Sequence, residues 1–582
     1  MEKKSETKNC QNCKKDFIIE SEDFNFYEKI KVPPPTFCPG CRAIRRLIWR
    51  NERTLYHNTC GLSGNKIISM FSPETGLKVY GQDDWWSDRW DPLAYGRAYD
   101  FSRPFFEQWR ELLESVPLCA MCNTNCVRSE YGNNNYDCKN CYLVYASLEN
   151  ENVAYAQGAL NTKDSYDVYT LMKSQNCYED TLCGSLYNTH FSYDSDECLD
   201  SMFLTSCLGL KHCLGCVNLR HKTYCIFNEQ YSKEEYEKKL RQYDFGSYKN
   251  LEAFKKKYAE FLSKQFRRYA FVYKSVNVTG DNIMHSKNSK CIFDVYGDVE
   301  DSKYLVHTIT IKTSYDGYGI GYNAELLYEG VDFGLDAARN FFGVWNHRGM
   351  DNIYTYMCHS SKHLFGCISC RSRQYCILNK QYSKEEYEEL VPKIIKHMND
   401  MPYIDKKGRV YKYGEFFPME LSPFAYNETI VQEYYPLDKK LVTEYDLKWK
   451  EPKERDYKIE IKIEDLPDHV KDTDESIIDK ILECMHKGEC NQQCTEAFKI
   501  RSDELQFYKK INVALPRLCP NCRHFERLKK RNPMKLWHRG CMCDKENHFH
   551  GEGKCEVEFE TSYTPERPEI IYCEKCYQQE VY

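Results

Sequence analysis

The sequence predicts a mainly β fold: a duplicated pair of β-rich, solenoid-like units with helical tails, flanked at the N- and C-termini by small zinc-ribbon or treble-clef modules. Three observations predict it. One repeat joins the two ends of the chain, a second is nested inside it, and C-x-x-C pairs stand at metal-ligand spacing.

The outer repeat sets the flanking modules. "CKKDFIIESEDFNFYEKIKVPPPTFCPGCRAIRRLIWRNERTLYHNTC" (Cys13–Cys60) aligns without a gap on "CTEAFKIRSDELQFYKKINVALPRLCPNCRHFERLKKRNPMKLWHRGC" (Cys494–Cys541). Phe26-Tyr27 falls on Phe507-Tyr508, and Cys38 and Cys41 fall on Cys519 and Cys522. The match resumes at Ser72 against Thr564. The inner repeat pairs Gly215–Glu237 with Gly366–Glu388, and "KDSYDVY" (Lys163–Tyr169) with "KTSYDGY" (Lys312–Tyr318). Within the first copy, short β-prone pieces recur about every 11 residues, separated by Asn, Asp, Gly and Ser. That rhythm points to a β-solenoid, with an ordinary antiparallel β domain as the alternative. Each copy ends in a polar Lys- and Glu-rich helical tail. The expected divisions are 1–115, 120–265, 270–400, a connector at 401–475 crossing the surface, and 476–582.

Composition bounds the function. The 582 residues are 42% hydrophobic and 29% charged, with a formal net charge of −6. No global basic field exists to recruit nucleic acid, so any such binding must come from local patches. The N-terminus lacks an apolar signal core, and no stretch approaches the ~18 apolar residues of a membrane span. A cytoplasmic protein is therefore expected. Its 32 cysteines are then expected to ligate metal or pack in cores rather than form disulfides.

Cys10-x2-Cys13, a gap, and Cys38-x2-Cys41 form a zinc-ribbon pattern, since two such turns bring four thiolates to one tetrahedral ion. The C-terminal copy offers Cys490, Cys494, Cys519 and Cys522, with a widened first knuckle for which Cys484 competes. Cys541, Cys543, Cys555, Cys573 and Cys576 then supply five thiols for four positions, with His548 and His550 as weaker candidates. In the N-terminal copy Gly81 and Asp84 replace Cys573 and Cys576, which removes that zinc and leaves about three per chain. The aromatic segment Trp85–Trp109 is expected to supply burial in its place.

These residues carry a resemblance. "CQNCKKDFIIESEDFNFYEKI…PPPTFCPGCR" resembles the zinc-ribbon family with the pattern CxxC…FY…P…CxxCR. The layout, with "WWSDRWDP" and the ending "RPEIIYCEKCYQQEV", is similar to multi-domain zinc-ribbon proteins of candidate-phylum bacteria. The resemblance implies zinc binding and brings no reaction, substrate or catalytic residue with it.

The central pairs Cys119/Cys122, Cys138/Cys141, Cys213/Cys216 and Cys367/Cys370 read differently. The repeat partner of Cys213 is Leu364. Leucine replaces cysteine in a core but not at a zinc, so these thiols are expected to be buried.

After the knuckles, Arg42, Arg45, Arg46, Arg50 and Arg53 fall on one helical stripe, and Arg523, Arg527, Lys530 and Arg531 repeat it. This stripe predicts a phosphate-contacting surface for RNA, or less so DNA. Docking to a protein partner in a cytoplasmic assembly is the alternative, and a carbohydrate-active enzyme on the solenoid the third. No carboxylate pair, triad or phosphate loop stands out. Asp164, Asp167, His190, Asp194 and Asp196 are read as turn formers.

Overall fold

A computed structural model describes residues 4–451 and 457–582. Two parallel β-solenoids form its body. The first runs from Asn123–Thr124 to Glu229–Gln230, and the second from Val272–Tyr273 to Lys380–Gln381. In the first, register advances by 12 residues per turn: Tyr187 pairs with Leu199, Leu199 with Lys211, and Lys211 with Thr223. Turns of the second solenoid take 12 or 13 residues, as in Tyr315 on Tyr328 on Phe341 on Ile353. The true period is thus one residue longer than the spacing of β-prone pieces suggested.

The turn is built from triplets. Almost every third residue, from Asn125 through Phe227, has a positive φ. This left-handed residue bends the chain at a corner, and the residue after it points inward. Asn, Asp and Gly tolerate that conformation, which explains their abundance between the short strands. Bulkier residues at corners regain the cost by stacking on the same corner one turn away. Phe191 and Phe203 stack at 4.6 Å, and Asn140, Asn152 and Asp164 form a hydrogen-bond ladder at 3.0 and 2.9 Å. At Gly215 and Gly366 the φ values of 69° and 67° combine with aromatic neighbours, so that a Cβ would meet Phe227 at 3.1 Å and Phe105 at 2.9 Å.

The triplet period also explains the central C-x-x-C pairs that lie within the solenoids, whereas Cys119/Cys122 precedes the first turn, with Cys119 buried and Cys122 half-buried. Residues three apart both face inward on adjacent sides of one turn, and Cys213 lies over Cys225 in the next. Cys138, Cys141, Cys213, Cys216, Cys367 and Cys370 are buried among Val, Leu and Ala, as a core reading expects. Each solenoid ends in a helix with a Ser–Glu capping box (Ser232/Glu235 and Ser383/Glu386), which covers the last turn through Tyr236 on Tyr224 and Tyr387 on Tyr375.

The flanking modules dock crosswise. Helices Ser21–Lys29 and Pro39–Leu47 lie on the second solenoid, and Ser502–Ile511 and Pro520–Leu528 lie on the first. Each module seats on the same corner row. That row runs Tyr155, Asp167, Glu179, Phe191, Phe203, Gly215 and Phe227 in one solenoid, and Tyr304, Asp316, Glu329, Phe342, Tyr354, Gly366 and Leu378 in the other. Phe26 stacks on Tyr315 at 3.9 Å, and its counterpart Phe507 lies 4.4 Å from Tyr166. Tyr27 meets Tyr328 edge-on at 5.7 Å, as Tyr508 meets Tyr178 at 5.5 Å. The two duplications are thereby matched into one pseudo-twofold assembly.

The segment expected to cross the surface does the opposite over much of its length. Tyr411, Phe416, Phe417, Tyr426 and Val431 are buried in the largest core, with Trp49 and Trp109. Tyr434 stands near the pseudo-axis, with its hydroxyl 3.3 Å from those of both Tyr169 and Tyr318, which are repeat partners. Trp85, Phe105, Phe106 and Trp109 are fully buried, so most of the aromatic segment's anchors are core, while Trp86 and Phe101 stay exposed.

Candidate metal centres and a cleft between the solenoids

Each flanking module contains two consecutive hairpin-plus-helix units. The hairpins are Glu6–Asn9 with Asp16–Ile19, Tyr56–Thr59 with Lys66–Ser69, Leu482–Glu483 with Ala497–Phe498, and Trp537–Gly540 with Glu558–Thr561. One hydrogen bond recurs in all four units. The backbone N–H of Cys38, Gly81, Cys519 and Cys573 donates to Sγ of Cys10, Cys60, Cys484 and Cys541 respectively, each at 3.2 Å. Such bonds stabilise a thiolate and orient it toward the knuckle that begins the helix.

Three of the units bring four cysteines together: Cys10, Cys13, Cys38 and Cys41; Cys484, Cys494, Cys519 and Cys522; and Cys541, Cys555, Cys573 and Cys576. Within each tetrad the sulfurs lie within 4.8 Å of one another. Zn–S bonds of about 2.3 Å in a tetrahedron require S···S edges of about 3.8 Å. Observed edges are 3.7 Å for Cys13–Cys38, 3.9 Å for Cys484–Cys522, 4.0 Å for Cys494–Cys519 and 4.0 Å for Cys555–Cys573. Proximity also polarises the thiols. Hydrogen bonds from Cys38 and Cys41 hold Cys10 far below the ordinary thiol range, while contacts with Cys10 and Cys38 drive Cys41 far above it. A divalent cation resolves that conflict by allowing all four to ionise, so the donor set fits zinc.

One ligand assignment changes, and the spare thiol expected in the last segment is located. Cys490, expected in the second tetrad, is replaced there by the buried Cys484, which holds the place of Cys10. Cys490 instead lies 3.7 Å from Cys522, grouped with His486. Cys543 stays outside the last tetrad, where Cys555 is included. In the degenerate unit Cys60 donates to Asp84 at 2.9 Å, and the hydrogen bond occupies the place a zinc would take.

The arginine stripe does not form the expected phosphate-contacting surface. Arg42, Arg45, Arg46, Arg50, Arg523 and Arg527 are buried, Arg53 and Arg531 are half-buried, and only Lys530 of the set is exposed. Asp316 accepts Arg42 at 3.0 Å and Arg46 at 3.1 Å, and Glu329 accepts Arg45 at 2.6 Å and Arg46 at 3.1 Å. Glu415, from the supposed connector, takes the other edge of Arg45 at 2.5 Å. In the other half, Asp167 accepts a hydrogen bond from Arg527 at 2.9 Å and forms an ion pair with Arg523 at 3.1 Å, with Glu179 3.0 Å from Arg527. Arg50 and Arg531 each lie 4.9 Å over a tyrosine, Tyr318 and Tyr169, and Arg53 lies over Tyr145 at the same distance. Burial pushes Asp167 up to about 6 despite its two arginines, with Glu179 nearby adding to the shift. The sequence held a signal for these carboxylates. Ser-Tyr-Asp is common to both copies at Ser165–Asp167 and Ser314–Asp316, whereas the adjacent Asp164 changes to Thr313.

A cavity of about 390 Å³ opens between the solenoids beneath the C-terminal module. Tyr193 and Asp194 line it from the first solenoid, Asp294 and Tyr296 from the second, and Arg531 and Tyr563 from the module. Burial pushes Asp194 up to about 6, eased by the Ser206 hydrogen bond and reinforced by the neighbouring Asp281 carboxylate. Burial likewise raises Asp281, which accepts backbone N–H groups of Phe271 and Asn282 at 2.9 and 3.0 Å. Asp194 is thus a corner residue, as the turn reading has it, and also a cavity wall.

No family model matches the chain, and no curated protein matches it. Among solved structures, a chain described as a "putative acetyltransferase" from Desulfovibrio desulfuricans G20 aligns over 50% of this chain and 86% of its own, at 9% identity and a TM-score of 0.10. That likeness carries no argument. The four-cysteine clusters agree with zinc-ribbon-like modules and with a zinc-binding scaffold. Among the described residues no helix is long and apolar enough to cross a membrane.

Proposed function

We propose that the protein is a zinc-stapled scaffold whose binding site is the cleft between its solenoids. The observation that carries this is the cavity of about 390 Å³, within the range of small-molecule sites. Its walls come from both solenoids and one zinc module, so the site exists only when the crosswise docking is complete. Closed four-thiolate sites leave no position for substrate, which suits a structural zinc. Carboxylates and tyrosines facing one space suit a small polar ligand with hydrogen-bond donors and a flat face.

The nucleic-acid reading loses its carrier, because the arginines that would supply phosphate contacts are engaged inside the fold by carboxylates or tyrosine rings. The interaction-platform reading keeps the same scaffold and exchanges the small ligand for a protein partner. Native mass spectrometry of the protein from its own cell tests the proposal. A bound small molecule should appear, and should be lost when Met284→Trp fills the cleft. Co-purifying nucleic acid that survives this substitution would restore the first reading through another surface. A stoichiometric protein partner with an empty cleft would favour the platform.

A further inference from the structure

The last ribbon holds one more buried thiol than its tetrad uses. Cys543 is fully buried, and it belongs to a second group with His548, His550 and Cys576, whose ligand atoms also lie within 4.8 Å of one another. Cys543 Sγ stands 3.2 Å from His548 Nδ1. A tetrahedral zinc with ordinary Zn–S and Zn–N bonds needs about 3.5 Å there.

The histidines are prepared for an ion in two separate ways. His548 Nε2 faces Glu580 Oε1 at 2.9 Å, the carboxylate partner that fixes the orientation of a ligating imidazole. Both ring nitrogens of His550 are enclosed by protein and have no hydrogen-bond partner. An imidazole with both nitrogens enclosed and neither satisfied is costly, although the His550 side chain as a whole is half-buried, and coordination by one nitrogen removes part of the cost. The loop carrying both histidines is held against the final helix Glu574–Val581. Phe549 N–H donates to Gln579 at 2.9 Å, and Lys575 lies 5.1 Å over the Phe549 ring.

We propose that Cys543, His548, His550 and Cys576 bind a second zinc-class divalent ion, with the Cys576 thiolate bridging it to the ion of the Cys541 tetrad. Charge favours the pair. One zinc with four thiolates carries −2, whereas two zincs with five thiolates and two neutral imidazoles carry −1 in the same buried volume. Both ions are fully coordinated, so the cluster staples the C-terminal helix to its loop and leaves no open catalytic position. His486, Cys490 and Cys522 repeat the theme beside the preceding tetrad. With three donors that group stops short of a complete site, and no ion is assigned to it.

Zinc counting by native mass spectrometry and zinc X-ray absorption, both on the full chain, test the inference. About four ions per chain are expected, with nitrogen scatterers that the all-cysteine tetrads cannot supply. The double variant His548→Ala/His550→Ala should keep about three ions and lose the nitrogen signal, and Cys543→Ser should lose the same single ion. About three ions with a pure sulfur shell in the unmodified protein would overturn the inference while leaving the three tetrads intact. The unmodified protein decides the matter even if the variants fold poorly. A double variant that still holds four ions would equally overturn it.

Discussion

Asp167 and Asp316 do the same work for opposite ends of the chain: each anchors two guanidiniums from the knuckle helix of a zinc module. Asp316 takes Arg42 and Arg46, and Asp167 takes Arg523 and Arg527. Both carboxylates are fully buried. Because the docking is crosswise, each pair ties one terminus to the solenoid farther from it in sequence. Removing one partner leaves uncompensated buried charge, at a cost of about 3–5 kcal/mol. Asp316→Ala and Asp167→Ala should each lower the unfolding free energy by about that much, read as a lower denaturation midpoint. The N-terminal module should become the more protease-sensitive in the first variant and the C-terminal module in the second. Equal release of both modules by either change would contradict the crosswise assignment.

Zinc content should separate Cys484 from Cys490. Cys484 accepts the Cys519 N–H at 3.2 Å, repeating the contact between Cys10 and Cys38, whereas Cys490 stands outside the tetrad. Cys484→Ser should remove one zinc and expose the Pro520–Leu528 helix to amide exchange. Cys490→Ser should leave the zinc count unchanged. The reverse outcome would return Cys490 to the ligand set that spacing alone suggested.

The ribbons and the duplications were legible because they are local or self-similar. Cys38-x2-Cys41 announces its geometry within one turn, and two aligned copies announce a common fold. The arginine stripe was legible as a stripe and not as a buried one. Helical periodicity shows which residues share a face, but the partner of Arg42 lies at Asp316, far along the chain. The same limit applies to Tyr411–Val431. Pro, Lys and Asp mixed with short apolar runs read as a surface connector, and only the assembled modules surround it. Cys484 was obscured by a shift in knuckle spacing. In the solenoid, a three-residue alternation was hidden because inward positions accept Cys, Ser, Asn, Val and Leu alike.

That alternation makes a prediction for the central thiols. Cys213, Cys216, Cys367 and Cys370 are buried, and contacts with neighbouring thiols, reinforced by burial, push Cys213 and Cys370 above the ordinary thiol range. Replacing any one by Ala should leave zinc content unchanged and cost about 1–2 kcal/mol as a small cavity. In the native protein these four should resist maleimide, becoming reactive only on unfolding. Loss of a zinc from Cys213→Ala or Cys367→Ala would refute the core assignment.

The cleft predicts a pH dependence. Asp194 has a folded value of about 6 against 3.8 for the free group, because burial disfavours its charge. The folded protein therefore holds this proton more tightly than the unfolded chain does. The associated stabilisation is complete below pH about 4 and is lost as pH rises through about 6. Asp194→Asn keeps the shape and removes the titration, so thermal melts of the variant should fall less steeply across that window and lie higher at neutral pH. An unchanged profile would show that the group titrates normally and that the cleft is wetter than its walls imply. Ligand binding should follow the opposite sign. A ligand that donates to the Asp194 carboxylate gains an ionised acceptor above pH about 6, so its affinity should rise where the empty cleft is least stable. Affinity that tracks the falling stability instead would place the ligand against the protonated acid.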